Sequence, residues 1–166
     1  MKEIALTKGK VAIVDDEDFE RLNRHKWTAT TDKGRKLWYA YRQEKSLSGK
    51  YIAIKMHREI MGVGPYDQLD VDHRDRNGLN NQKYNLRACT RSQNLCNMVR
   101  FNPSGYKGVS LQTRGKKWVA KIQINGKQIY LGIFTQKEDA ARAYDRAALK
   151  YHGEYSRLNF PLKEAI

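Results

Sequence analysis

Val71-Asp72-His73, with Asn85 twelve residues past the histidine and Asn94 twenty-one past it, sets an imidazole beside a carboxylate and two carboxamides. Phosphodiester hydrolysis needs an activated water, stabilisation of charge gathering on phosphorus, and help for the departing sugar oxygen. His73 is the candidate base, because an unperturbed imidazole titrates near neutrality. A hard cation such as Mg²⁺, or Mn²⁺ in its place, takes oxygen ligands and keeps open positions for substrate. Asp72 and the side-chain oxygen of Asn94 are the candidate ligands of one such ion. The chemistry requires that imidazole, acid and carboxamide converge.

The elements that must position these groups are short. Residues 4–14 read as two strands around Lys8-Gly9-Lys10, and Asp15-Asp16-Glu17-Asp18 reads as the cap of a helix to about residue 24. Strands are expected at 27–31, 37–42 and 51–56, separated by polar turns with Gly34 and Gly49. A short helix at 57–61 opens on His57, read as structural with a DNA contact as the alternative. A strand at 69–73, a loop to Asn85, a strand at 86–90 and a helix at 91–99 then carry the candidate site.

This stretch, VDHRDRNGLNNQKYNLRACTRSQN, resembles the HNH, or His-Me finger, nucleases. The resemblance implies a ββα unit of about residues 69–99 folded around one metal ion. It implies that Asn85, in Tyr84-Asn85-Leu86-Arg87, braces the loop and orients the His73 ring, with Arg87 meeting the phosphate backbone. Arg91 is a further candidate phosphate contact, and Asn81 shapes the loop. The chain departs from the usual family pattern at Arg74-Asp75-Arg76-Asn77-Gly78 and at Asn80-Asn81, without losing a proposed ligand. His25 and His152 are read as surface or packing residues.

Charge narrows the partner. Thirty-two Lys and Arg stand against eighteen Asp and Glu, a net +14 in 166 residues. Residues 1–99 carry +6, whereas the shorter stretch from 100 onward carries +8. A phosphate polymer suits this balance, because neutralised phosphates release condensed counterions. No apolar run approaches the roughly 20 residues of a membrane-spanning helix, and MKEIALTKGK lacks a signal-peptide core. Cys89 and Cys96 make neither a disulfide framework nor a four-thiolate zinc site, and are expected to stay reduced, the first in a strand and the second in a helix.

A turn-rich stretch at 100–105 reads as a linker, and strands at 106–112, 117–124 and 127–134 follow, the last two joined by Asn125-Gly126, a hairpin signal. A helix at 136–151 puts Ala140, Ala143, Tyr144, Ala147 and Tyr151 on one side. With Tyr106-Lys107-Gly108-Val109, Trp118, Leu131-Gly132-Ile133-Phe134 and Leu158-Asn159-Phe160-Pro161, this module resembles the Apetala-type, or ethylene-response-factor, DNA-binding domain. Such domains lay a three-stranded sheet in the major groove. Carried over by position, the facing residues are Lys107, Ser110, Gln112, Arg114, Lys121, Gln123, Gln128 and Tyr130, with Lys116, Lys117 and Lys127 as phosphate contacts. Gln prefers adenine and Ser is permissive, so looser readout than in the plant proteins is expected. Trp118 and Tyr144 are expected in the core.

The fold class expected is α+β. A strand-rich N-terminal region leads into a ββα-metal nuclease unit within residues 1–99. A linker at 100–105, a three-stranded antiparallel sheet packed on one helix at 106–161 and a tail at 162–166 follow. The function expected is a homing-type HNH endonuclease that hydrolyses double-stranded DNA by a His-activated water. It would act as a monomer or weak homodimer, with no membrane and no protein partner evident, in the cytoplasm of a bacterial or phage-infected cell. The alternative is a sequence-specific DNA-binding regulator whose HNH fold is inert.

Overall fold

The computed structural model describes residues 1–31, 37–98 and 102–161. The turn expected around Gly34, the residues 99–101 and the tail at 162–166 lie outside the described residues. The chain divides into two compact units, Met1–Asn94 and Leu95–Ile166. Both are mixed α and β with antiparallel sheets.

The first unit starts with an antiparallel pair, β1 (Lys2–Ala5) and β2 (Val11–Val14), followed by α1 (Asp16–Asn23). A three-stranded meander follows: β3 (Thr28–Thr31), β4 (Trp38–Lys45) and β5 (Tyr51–Lys55). Next come α2 (Met56–Ile60) and a second antiparallel pair, β6 (Asp70–His73) with β7 (Leu86–Cys89). One apolar core joins these pieces, with Ile4, Val14, Leu22, Ala29, Ala40 and Met56 excluded from solvent. Trp27 fills its centre and donates its indole N–H to the Leu22 carbonyl at 2.8 Å. That bond removes the cost of burying a lone indole donor.

Asp15 shows how the N-terminal strands position the site. It occupies the expected cap position of α1 but makes no side-chain capping bond. Its carboxylate instead accepts Gln82 Nε2 at 3.0 Å and the Lys83 backbone N–H at 2.7 Å. Alongside, Ile13 donates its N–H to Leu79 O at 2.8 Å and accepts the Asn81 N–H at 2.7 Å. The loop between β6 and β7 is thus held along the edge of β2. Gly78 lets that loop press on β4, since a Cβ there would come 2.4 Å from the Trp38 carbonyl oxygen.

The second unit is a meander of β8 (Val109–Gln112), β9 (Lys117–Ile124) and β10 (Lys127–Phe134), in the order β10-β9-β8. The helix α4 (Lys137–His152) lies on one face, and a further helix, α3 (Arg91–Asn97), contains the division between the units. Ala140, Ala141, Ala143, Ala147 and Ala148 are all buried, which brings α4 close to the sheet. Asn125 and Gly126 both take positive φ, 47° and 79°, as a two-residue hairpin requires.

Several boundaries differ from expectation: β4 runs on to Lys45 where a strand at 37–42 was expected, and α3 ends at Asn97 rather than 99. The strand expected at 106–112 begins only at Val109, because Gly108 turns the chain at φ +74°. The expected linker is also partly structured: Ser104 is buried, and its hydroxyl donates to Val109 O at 2.9 Å. Among the described residues no helix is long and apolar enough to cross a membrane.

Candidate active site and nucleic-acid interface

His73 ends β6, paired with Leu86, while Asp72 pairs with Arg87. The ring is buried at 4% exposure. Its Nε2 lies 3.2 Å from Asn81 Oδ1, and Asn81 Nδ2 donates to the Leu79 carbonyl at 3.2 Å. Because the amide nitrogen is committed to Leu79, the Asn81 oxygen faces the ring. An amide oxygen only accepts, so Nε2 carries the proton and the neutral ring's lone pair sits on Nδ1. Burial holds the imidazole below its usual pKa, opposed by the Asn81 hydrogen bond and the charges of Asp75 and Asp72. A ring kept neutral in this way suits a base acting near neutral pH.

Asn85 has a separate task. Its amide nitrogen donates to Asp75 Oδ1 at 2.9 Å and to the Asn80 carbonyl at 2.8 Å, and its oxygen accepts the Asp75 N–H at 3.0 Å. It staples the loop, whereas the ring contact expected of it is made by Asn81.

The acid side is arranged differently from expectation. Strand alternation sends Asp72 and His73 to opposite faces of the β6–β7 ribbon, so the two groups do not share one face. Arg87 sits directly across from Asp72, and its Nε and Nη2 reach Asp72 Oδ2 at 2.9 and 2.7 Å. Both side chains are buried, so Arg87 faces Asp72 rather than solvent, where a phosphate contact was expected. Asn94 donates its amide nitrogen to Asp70 Oδ2 at 2.9 Å, and Arg91 reaches the same oxygen at 3.2 Å. Asp70 lies two residues before Asp72 and so on the same face of the ribbon. Asp72 and Asn94 offer oxygen donors of the kind Mg²⁺ or Mn²⁺ takes, but Asp72 is engaged by Arg87 and Asn94 by Asp70, so the convergence with the His73 ring expected of them is not formed here. Among the described residues no group of three His, Cys, Asp or Glu side chains is placed to hold a metal.

Asp70 and Tyr39 were not singled out from sequence, and His57 was read as structural with a DNA contact as the alternative. The alternation in Asp70-Val71-Asp72 is the signal that was there to read. His57 is buried at 5% exposure, its ring stands 4.9 Å from that of His73, and its Nδ1 has no hydrogen-bond partner among the described residues. Burial drives its pKa well down, reinforced by the charges of His73, Lys55 and Arg58. Tyr39 packs against both rings at 5.8 and 5.9 Å. Of the other histidines, His25 stands edge-on to Trp27, and burial lowers the pKa of the partly buried His152. Cys89 lies in β7 and Cys96 in α3, and burial raises both thiols, Cys89 to about 11.

In the second unit, register separates the two faces of the sheet. Val109, Trp118, Ala120, Ile122 and Leu131 turn towards α4, and Tyr144 closes the core from the helix. The other face carries Ser110, Gln112, Lys117, Lys121, Gln123, Gln128 and Tyr130, all exposed. Arg114 and Lys116 occupy the exposed β8–β9 turn, and Lys127 opens β10. A bulge between Tyr130 and Gly132 keeps Leu131 on the helix side. Lys107 departs from this set: its ammonium donates to the Cys96 carbonyl, and it is only partly exposed.

Comparison with known proteins agrees with this division. The family model described as "AP2 domain" matches residues 104–154, and the one described as "HNH endonuclease" matches residues 58–96. The chain carries both kinds of domain. "APETALA2-like protein 2" of Oryza sativa subsp. indica is 45% identical over 65 residues, 39% of this chain and 15% of the relative. "AP2-like ethylene-responsive transcription factor TOE2" of Arabidopsis thaliana is 46% identical over 61 residues, 37% of this chain and 13% of the relative. A longer alignment, to "AP2-like ethylene-responsive transcription factor CRL5" of Oryza sativa subsp. japonica, is 25% identical over 87% of this chain and 25% of the relative. The chain thus spans about a seventh of the length of the first two. The bacterial or phage-infected cytoplasm expected from sequence is corrected by these relatives, which are plant proteins, two of them named as transcription factors.

Proposed function

We propose that the chain is a divalent-metal-dependent DNA endonuclease. In this reading the second unit grips double-stranded DNA and the first unit hydrolyses a phosphodiester at His73. The observation that supports it most is the His73–Asn81 contact, which leaves a neutral imidazole with its lone pair on Nδ1. That nitrogen takes a proton from water as the water oxygen bonds to phosphorus. The bond to the 3′ oxygen breaks and that oxygen takes a proton from solvent water, leaving a 5′-phosphate and a 3′-hydroxyl. Asn85 keeps the loop rigid through this step by bonding both the backbone and side chain of Asp75.

In this reading Asp72, once released from Arg87, and Asn94 would hold Mg²⁺ or Mn²⁺. Such an ion, when bound, supplies positive charge against the extra negative charge on the phosphorus. It would compete there with Arg87 for Asp72. On the second unit, Lys117 and Lys121 suit phosphates, while Gln112, Gln123 and Gln128 offer paired donors and acceptors to base edges.

A plasmid-nicking assay tests the reading. Wild type should nick supercoiled DNA in Mg²⁺ or Mn²⁺ and stop in EDTA. His73→Ala should lose at least ~10²-fold in rate while binding duplex as before. Full activity in that variant rejects the base assignment. A second reading, a DNA-binding regulator with an inert HNH fold, is favoured by the buried Arg87–Asp72 pair and by the relatives named as transcription factors. It expects tight, salt-sensitive duplex binding and no nicking with either metal.

A further inference from the structure

We propose that the outer face of the β3–β4–β5 sheet is a second duplex-DNA contact surface, leading the nucleic acid to His73. The proposal rests on the reading of His73 as a nuclease base.

Register defines the face. Thr28 lies opposite Tyr41 and Tyr41 opposite Lys55, while Lys45 lies opposite Tyr51 and Thr30 opposite Tyr39. Directly paired residues point to one side of a sheet. The intervening residues Ala29, Trp38 and Ala40 enter the core on the other side. Arg42 also lies on that inner side, over the Trp27 ring and bonded to Glu59, and it pairs with Glu44 there. The one acid of β4 is therefore turned away from the outer face.

What remains outside is cationic and rich in hydroxyls. Lys45, Lys55 and Gln43 are exposed, and Tyr51 is 71% exposed. In two rows a lysine lies opposite a tyrosine, Lys55 opposite Tyr41 and Lys45 opposite Tyr51, donor types suited to phosphate oxygens and sugar edges. The rows cross strands about 4.8 Å apart, so Lys55, Tyr41 and Thr28 form a track of about 10 Å. Tyr39, on this same face, packs against both His57 and His73. The basic face and the candidate base thus adjoin through one side chain. Charge complementarity with a polyanion and continuity with the cleavage site select duplex DNA as the occupant.

The experiment measures binding of the full chain to duplex DNA in EDTA, where cutting is stopped, over a range of salt concentrations. Lys45→Gln/Lys55→Gln should lower the slope of log K against log salt by about 1.8, from roughly 0.9 per neutralised phosphate. Lys45→Glu/Lys55→Glu should weaken binding further, with thermal melting unchanged. In Mg²⁺ both variants should nick more slowly than wild type at subsaturating DNA. An unchanged slope in both variants, with wild type binding normally, overturns the second surface and leaves the nuclease reading intact. Variants that show the slope change beside a wild type that nicks nothing overturn the nuclease reading and support the surface. A slope change seen only with single-stranded RNA overturns the choice of duplex DNA.

Discussion

The imidazole of His57 stands edge-on to that of His73, their centroids 4.9 Å apart and their planes at 81°. Both rings are buried, and burial lowers both pKa values, that of His57 well below 6.5. In the unfolded chain each protonates near 6.5, so between that value and the folded pKa the unfolded state binds more protons. The stability these residues contribute is complete above about pH 6.5 and is lost as pH falls below it, by at most ~1.4 kcal/mol per pH unit for each ring. Melting temperatures of the first unit should drop from about pH 7.5 to about pH 5.5, and His57→Phe should flatten that dependence. Equal slopes for wild type and variant would contradict the assignment.

Asp72 and Arg87 are each buried and face each other across the ribbon. Removing one partner takes from the other its opposite charge in a buried setting. Arg87→Ala should therefore destabilise the first unit by about 3–5 kcal/mol, measured by chemical denaturation. Adding Asp72→Ala should recover much of that loss. Additive losses in the double-mutant cycle would show that the pair is not coupled.

Gly108 and the Tyr144 ring leave no room for a methyl group. A Cβ at position 108 would lie 1.9 Å from Tyr144 Cδ2 and 2.7 Å from the Lys121 carbonyl oxygen, at a φ of +74°. Gly108→Ala should cost the second unit at least ~2 kcal/mol, from backbone strain and overpacking together. Tyr144→Ala in the same chain should relieve the overpacking but leave the strain. A melting temperature unmoved by Gly108→Ala would show that the approach is looser than described.

Asp145 closes the C-terminal end of the second unit. Its buried carboxylate accepts the backbone N–H groups of Asn159 and Phe160 at 2.8 and 2.9 Å, and Asn159 in turn brackets the Lys107 backbone. Asp145→Ala leaves those donors without their acceptor and should cost about 2–3 kcal/mol or more. Hydrogen exchange at Asn159 and Phe160 should rise before that of β9 does. Protection unchanged at both amides would reject this role.

Local chemistry in the chain was enough to place most elements. Alternation marked β9 and β10, Asn125-Gly126 marked their hairpin, and the alanine spacing marked the buried side of α4. The strand that ends at His73 and the loop that carries Asn85 were legible as elements from local alternation and turn residues. The cap position of Asp15 was legible because it is a local signal, but the partners of its carboxylate, Gln82 and Lys83, were not, because they lie more than sixty residues away. Asp70 escaped notice for a related reason: its role depends on Asn94 reaching back from α3.

The amino-acid order by itself determined that a basic chain carries one acid–histidine pair and one basic three-stranded module, since charge, spacing and strand period are local properties. Which oxygen meets which ring was decided only by tertiary structure. Strand pairing set Arg87 across from Asp72, β2 pinned the loop that presents Asn81 to His73, and burial lowered the pKa of both neighbouring imidazoles. Those outcomes depend on register and desolvation, which arise only when distant segments share one core.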